Sequence, residues 1–102
     1  MKIQDVTGFE WDDGNMKKCQ KHGVSLSDIE SAFHRPMKFF PDLAHSQNET
    51  RYIALGSAET GRKLFICFTL RQRDDKTYLR PVSARYMHKK EVEYYEKTTT
   101  HP

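Results

Sequence analysis

The spacing of the apolar residues changes near Pro36, and this change limits what the chain can fold into. Before Pro36, the residues Leu26, Ile29 and Phe33 lie three or four positions apart, which is the spacing of one helix face. After Pro36, short segments with a period near two are separated by turn residues, which is typical of β-strands. The sequence therefore predicts an α+β fold.

The N-terminal third is predicted to hold one short strand and two helices. Residues 9–12 alternate between apolar and acidic and can form the strand. A helix over about residues 16–21 follows, with cap candidates just before it and Gly23 ending it. The second helix runs to about Phe33, with Ser25 and Asp28 resembling a capping pair at its start.

The remainder is predicted to form four strands and a closing helix. The strands cover residues 37–40, 51–56, 63–70 and 77–85 and can pair as an antiparallel meander. Residues 63–70 are apolar on both faces, so we expect this strand to be central. With a final helix over residues 89–97, the fold is a small, curved, antiparallel sheet with helices packed on one face.

Length and composition favour a single domain over residues 1–102, with a flexible tail over residues 98–102. Seventeen Lys and Arg against fourteen Asp and Glu, with a pI near 8.9, make the surface mildly attractive to polyanions. The sequence shows neither a secretory segment nor a run of 18 apolar residues, which favours a cytoplasmic protein without a membrane partner.

The turn between the two predicted helices contains Lys21, His22 and Gly23. Backbone donors and the positive end of the following helix dipole favour an anion at such a place. The alternative is an ordinary helix end, with Lys21 opposing the preceding dipole and His22 merely exposed.

The loop over residues 45–51 combines His45, Glu49 and Arg51, which could serve as base, orienting partner and anion clamp. A metal site is a weaker alternative, because no second histidine stands at helical spacing and there is no cysteine cluster. The other alternative is a solvated loop without chemistry.

The end of the last predicted strand gathers Arg80, Ser83, Arg85, Tyr86 and His88. Two guanidiniums, a phenol and an imidazole at the end of a strand are groups that can hold a phosphate. Tyr86 could also stack on an unpaired base, as recognition of single-stranded RNA requires.

Strict alternation along this strand would send Arg80 and Arg85 to opposite faces of the sheet. Both can serve one site only if the strand contains a bulge. Pro81 predicts either a bulge or an edge position, because proline cannot donate to the strand ladder. Alternatively, an arginine at the strand end simply pairs with Glu91 or Glu93 of the closing helix.

Five segments together resemble the BrnT-type toxins of bacterial type II toxin–antitoxin systems. In chain order they are FEWDDGN, CQKHGVS, PDLAHSQNETRYIALG, GRKLFICFTLR and RPVSARYMHKKEVEYYEK, and they span about residues 9–96. The positions that match the motif residues of the family are Lys21, His22, Gly23, His45, Glu49, Arg51, Ser83, Ala84, Arg85 and Glu91. The chain departs from many relatives at Tyr86, where they carry a basic residue or an aspartate.

This resemblance implies a compact fold like that of the RelE-type ribonuclease toxins and an activity against RNA that inhibits translation. It also implies a cognate antitoxin as partner, whose DNA-binding part is commonly a ribbon-helix-helix dimer. Operator DNA would then be a partner only through the antitoxin.

The mechanism that we expect is that of a metal-independent endoribonuclease without a cofactor. A base takes the proton of the RNA 2′-hydroxyl, the oxygen attacks phosphorus, and a 2′,3′-cyclic phosphate and a 5′-hydroxyl result. The candidate catalytic residues are His22, His45, Glu49, Arg51, Arg85 and Tyr86, and the candidate RNA-binding residues are Lys21, Arg80, Ser83 and His88. Among these, His22 or Tyr86 would be the acid.

Arg51 and Arg85 are expected to clamp the phosphate, because a planar guanidinium can bind two oxygens at once. His45 or Glu49 would be the base. Two other functions stay open: a protein-binding module that acts only through its antitoxin in a DNA-bound complex, and a protein that binds RNA and leaves it intact.

Overall fold

The structure is a computed structural model that describes residues 5–99, with backbone only for residues 98 and 99. Its elements in chain order are β1 (Gly8–Phe9), α1 (Asp13–Gln20), α2 (Leu26–Ala32), β2 (Lys38–Pro41), a 3₁₀ helix (Leu43–His45), β3 (Tyr52–Ser57), β4 (Lys63–Arg73), β5 (Lys76–Tyr86) and α3 (Lys89–Thr99). The predicted α+β class is confirmed. Helix α3 continues two residues beyond its predicted end, and residues 100–102 of the predicted tail lie outside the described residues.

The strands form one five-stranded sheet in the order β1-β5-β4-β3-β2. Strands β2 to β5 pair as the predicted antiparallel meander, with β4 in the middle. Strand β1 pairs in parallel with β5, with Gly8 opposite Tyr78, so the sheet is mixed and not antiparallel throughout. A segment of two residues carries too little pattern to predict its partner.

The β4–β5 hairpin is longer than predicted, because both strands continue to a two-residue turn at Asp74 and Asp75. These residues have φ angles of 51° and 67°, as a type I′ turn requires at both central positions. Residues 71–73, which the sequence assigned to a loop, therefore belong to β4.

Strand β5 contains the bulge that Pro81 allowed. Cys67 pairs with Ser83, but its neighbour Phe68 pairs with Pro81, which leaves Val82 as an extra residue. The sequence left two possibilities open for Pro81, a bulge or an edge position, and the bulge is confirmed. Proline is tolerated inside the sheet at such an interruption of the ladder.

The bulge shifts the alternation of side chains along β5, so the residues before and after it share faces differently than in a regular strand. Leu79 and Ala84 are buried against the helices, although five positions separate them. Arg80, Ser83 and Arg85 consequently belong to the opposite side of the sheet, which we call the outer face.

Helix α2 packs on the other side, which we call the helix face, and Cys19 of α1 joins the core there. The buried core there is formed by Cys19, Val24, Ile29, Ala32, Phe33, Ala54, Ala58, Leu64, Ile66, Phe68, Leu79 and Ala84. The ring centroids of Phe33 and Phe68 lie 5.4 Å apart in an edge-on arrangement, and Tyr52 stacks on Phe68 at 5.3 Å. Aromatic contacts thus join α2 to the centre of the sheet.

Asn15 attaches α1 to the bulged part of β5. It forms a capping box with Asp12, which starts the helix at Asp13, three residues before the predicted start. Its side-chain amide Nδ2 donates to the carbonyl oxygens of Glu10 and Pro81, each at 2.9 Å. The side chain is 4% exposed, so these bonds form inside the protein.

Helix α3 begins on the outer side of the sheet, in contrast to α2. Its first turn is linked to β5 by an ion pair between Glu91 and Arg85. Within residues 5–99, no helix has the length and apolar character needed to cross a membrane.

Candidate functional site

Arg85 lies on the outer face and is held by α3. Its Nη1 and Nη2 donate to the two carboxylate oxygens of Glu91 at 2.7 and 2.9 Å, and its guanidinium lies 4.4 Å from the centroid of the Phe65 ring. The hydrogen bond from Arg85 lowers the pKa of Glu91 to about 2, and the bond to Glu91 raises the pKa of Arg85. The glutamate pairing that the sequence left open is therefore formed.

Cys67 lies opposite Ser83 in the sheet, and its thiol is influenced by the charges of Arg51 and Arg85. The positive charges of both arginines act on its thiol, which is hydrogen-bonded to the side chain of Ser83. Burial nevertheless raises the pKa of Cys67, so the thiol is protonated at neutral pH. Arg51 precedes Tyr52, which packs on the helix face, so both arginines belong to the outer face, but Arg85 lines neither of the two hollows described below.

His45 is oriented by Asp42, a residue that the sequence did not single out. Its Nδ1 lies 3.0 and 3.1 Å from the two carboxylate oxygens of Asp42, across the 3₁₀ helix. When Nδ1 carries the proton it donates to Asp42, and Nε2 keeps a lone pair that can accept a proton. The spacing of three residues is the signal that could have revealed this pair.

The loop that carries His45 is closed by Ser46. Its hydroxyl donates to the carbonyl oxygen of Asp42 at 2.6 Å and accepts from the backbone N–H of Arg51 at 2.9 Å. These bonds fix the end of the loop at the start of β3. A hollow of about 350 Å³ results, lined by Ala44, His45, Gln47, Asn48, Glu49 and Arg51.

A second hollow of about 370 Å³ adjoins the first and shares two residues with it. We call it the basic cleft; it is lined by Gly14, Asn15, Lys18, Glu49, Arg51, Arg71, Arg80 and Val82. Glu49 accepts from Nη2 of Arg71 at 3.0 Å. Sequence reasoning named neither Lys18 nor Arg71 as a site residue, and Arg71 lies just beyond the predicted end of the strand over residues 63–70.

Arg80 connects β5 to the segment between β1 and α1. Its guanidinium pairs with Glu10 at 3.2 Å and with Asp12 at 2.9 Å. The backbone N–H of Asn15, together with Arg80, lowers the pKa of Asp12. Because Arg80 is already balanced by two carboxylates, its contribution to an anion site is smaller than that of an unpaired arginine.

Tyr86 is separated from Arg85 by the sheet. Its ring packs against the core on the helix face, and the guanidinium of Arg62 lies 3.5 Å from its centroid. Consecutive residues of a strand point to opposite faces, so the structure does not bring Tyr86 together with Arg85.

Three further candidates lie outside both hollows. Lys21 and His22 are exposed after α1, and Gly23 ends this helix with a φ of 88°, as the sequence predicted. Within residues 5–99, His22 forms no hydrogen bond or ion pair. His88 is exposed, and its backbone N–H donates to Glu91 at 3.0 Å.

In the described part of the chain, no three side chains of His, Cys, Asp or Glu come together in a group that could hold a metal ion. The site offers an oriented imidazole, two carboxylates and several guanidiniums, next to hollows that can admit a phosphodiester.

Comparison with known proteins gives one family. The sequence model of the family described as "Ribonuclease toxin, BrnT, of type II toxin-antitoxin system" matches residues 11–91. No curated protein matches the chain with significance.

Proposed function

Because the chain belongs to the BrnT family of ribonuclease toxins of type II toxin–antitoxin systems, we propose that it is an endoribonuclease that cleaves RNA by attack of the 2′-hydroxyl, without a metal ion. The membership of the family implies an antitoxin partner. The finer proposal is supported most by one observation: the bulge at Val82 brings Arg80, Ser83 and Arg85 to one sheet face, and Arg51 lines the same cleft as Arg80.

Arg51 is the first phosphate clamp in this proposal. Within residues 5–99 its guanidinium forms no ion pair, so its charge is available to a ligand. Arg85 is the second clamp, and it must exchange the carboxylate of Glu91 for a phosphate oxygen. Guanidinium groups bind phosphate in the same forked geometry that they use for carboxylates.

His45 is the base that the geometry favours over Glu49. Asp42 holds Nδ1 of His45, which leaves the lone pair of Nε2 available to accept a proton. The carboxylate of Glu49 is instead engaged by Arg71. His45 would take the 2′-hydroxyl proton, the 2′ oxygen would bond to phosphorus, and the bond from phosphorus to the 5′ oxygen would break.

The leaving 5′ oxygen needs a proton. We propose that solvent water supplies it because, of the two candidate acids, His22 lies outside both hollows and Tyr86 lies on the helix face. We further propose that the protein acts in the cytoplasm, and that its antitoxin is a ribbon-helix-helix protein through which the complex contacts operator DNA.

Cleavage of a labelled RNA by the purified toxin, freed of antitoxin, tests this function with and without ribosomes. His45→Ala should lower the rate by roughly 10²- to 10⁴-fold, which is the usual contribution of a general base. Arg51→Ala and Arg85→Ala should lower it by about 10²-fold or more. Mass spectrometry should show a 2′,3′-cyclic phosphate, and EDTA should leave the rate unchanged.

Arg35→Ala is the matched control, because it removes an exposed arginine that lines neither hollow. Full cleavage by His45→Ala and Arg51→Ala, with melting like that of the parent, would reject these roles. RNA that is bound but recovered intact from the parent protein under both conditions would instead favour a binding module.

A further inference from the structure

We propose that the basic cleft is a second phosphate subsite, which binds the RNA phosphate next to the one that is cleaved. This inference rests on the ribonuclease function proposed above. The cleft and the loop hollow share Arg51 and Glu49. An RNA strand whose scissile phosphate contacts Arg51 can therefore extend into the cleft without crossing another part of the surface.

The charges that line the cleft leave positive charge for a ligand. Four of its side chains are cationic and one, Glu49, is anionic. Arg80 is balanced by carboxylates outside the cleft. Lys18 and Arg51, however, form no ion pair with any residue between 5 and 99. Two cations without counterions that line one cleft are a favourable place for a polyanion.

Arg71 has bonding capacity that the protein itself does not use. Its Nε is buried and finds no hydrogen-bond partner in the described residues. A buried donor without an acceptor destabilises the folded protein, so a small movement of this partly exposed side chain that gives Nε a ligand oxygen as acceptor would be favoured. Phosphate oxygens fit this requirement, because they bind the edge of a guanidinium in pairs.

Glu49 acts as a removable counterion for Arg71. Each side chain of this pair is 39% exposed, and the interaction consists of one contact at 3.0 Å. Exposed ion pairs of this kind are weak, so a phosphate can replace the carboxylate. Glu49 thus competes with RNA for the cleft.

Binding of an RNA with 2′-O-methyl groups at every ribose tests the subsite without cleavage, because this RNA has no attacking hydroxyl. Fluorescence anisotropy at several salt concentrations gives the affinity and its salt dependence. Lys18→Ala and Arg71→Gln should each weaken binding by about 3- to 10-fold. Each should also reduce the slope of log K against log salt by about 0.7, which is the value for one phosphate contact on a single strand.

Glu49→Gln should have the opposite effect and tighten binding by roughly 2- to 5-fold, since the competing carboxylate is gone. A purely structural role of Glu49 would not produce tighter binding. Lys17→Ala is the matched control, because Lys17 precedes Lys18 on α1 and is exposed but does not line the cleft. It should change the affinity less than 2-fold.

The subsite is rejected if Lys18→Ala and Arg71→Gln bind like the parent, or if Glu49→Gln binds more weakly. Lys18 is exposed, so its variant decides the question even where Arg71→Gln does not fold. Loss of cleavage in Arg51→Ala together with unchanged binding by both cleft variants would reject only the subsite. Binding with the expected dependence by a protein that cleaves no RNA would reject only the ribonuclease mechanism.

Discussion

Replacement of Asn15 by aspartate tests how α1 and the bulge are held together. The side chain of Asn15 accepts from the backbone N–H of Asp12 at 2.7 Å and donates from Nδ2 to two carbonyl oxygens at 2.9 Å. Asn15→Asp keeps the shape and the acceptor but replaces the donor by an oxygen. That oxygen would face the carbonyl oxygens of Glu10 and Pro81.

The expected loss follows from these contacts. Two hydrogen bonds disappear, each worth about 1 kcal/mol net. The carbonyl oxygen of Pro81 is then left without this partner next to a buried carboxylate, which adds about 1 kcal/mol or more. Asn15→Asp should therefore lower the free energy of unfolding by about 3 kcal/mol and the melting temperature by roughly 10–20 °C. Asn15→Ala should lose about as much, because it buries no charge but also removes the bond from the backbone N–H of Asp12.

Urea unfolding at neutral pH, followed by circular dichroism, measures these differences. Gln20→Ala is a suitable control, since its amide donates to the carbonyl oxygen of Met16 on the exposed side of the same helix. It should lie within about 0.5 kcal/mol of the parent. The stability that Asn15→Asp loses relative to the parent should shrink as the pH falls and the introduced carboxyl takes up a proton, whereas the loss in Asn15→Ala should stay about constant. If Asn15→Asp is as stable as the parent, the amide does not hold the bulge.

Three further outcomes follow from the contacts described above. Glu91→Gln should flatten the fall in the free energy of unfolding between pH 4.5 and about 2. The pKa of Glu91 is lowered in the folded protein, so the pairing contributes its full stability above the pKa of the unfolded chain and loses it as the pH drops through the pKa of the folded protein. The pairing of Glu91 with Arg85 should contribute about 1–2 kcal/mol to the free energy of unfolding after screening by solvent, as measured by acid titration. If the parent and Glu91→Gln lose stability with pH in the same way, the pairing is contradicted. Asp75→Gly should stabilise the β4–β5 turn by about 1 kcal/mol in thermal melts, since Asp75 has a φ of 67°, and a lower melting temperature would refute this. Asp42→Asn should release the ring of His45 and thereby slow RNA cleavage by roughly 10- to 100-fold, while the affinity for methylated RNA stays the same. If that affinity also falls, Asp42 does more than orient His45.

The sequence alone was sufficient for the order of elements and for most of the sheet. The change of period near Pro36 separated helices from strands, and the apolar run that begins at Lys63 marked the central strand. Pro81 predicted the bulge as one of two possibilities. Such features depend on neighbours within a few residues, so hydrophobic period and proline chemistry reveal them.

The candidate site could be predicted only in part for the same reason. His45, Glu49 and Arg51 are close in sequence, and the structure places them around one hollow. Tyr86 was grouped with Arg85 because the two are adjacent, although adjacent strand residues face opposite sides. Adjacency in the sequence was therefore a poor guide to which strand residues can belong to one site.

Tertiary structure decided which distant side chains meet. The basic cleft combines Lys18 of α1, Arg71 of β4 and the loop before β3, and none of these segments carries a pattern that identifies the others. The parallel pairing of β1 with β5 is another such case. Both result from how whole elements pack over one core, and this packing depends on the combined burial of many side chains, which no local run of residues encodes.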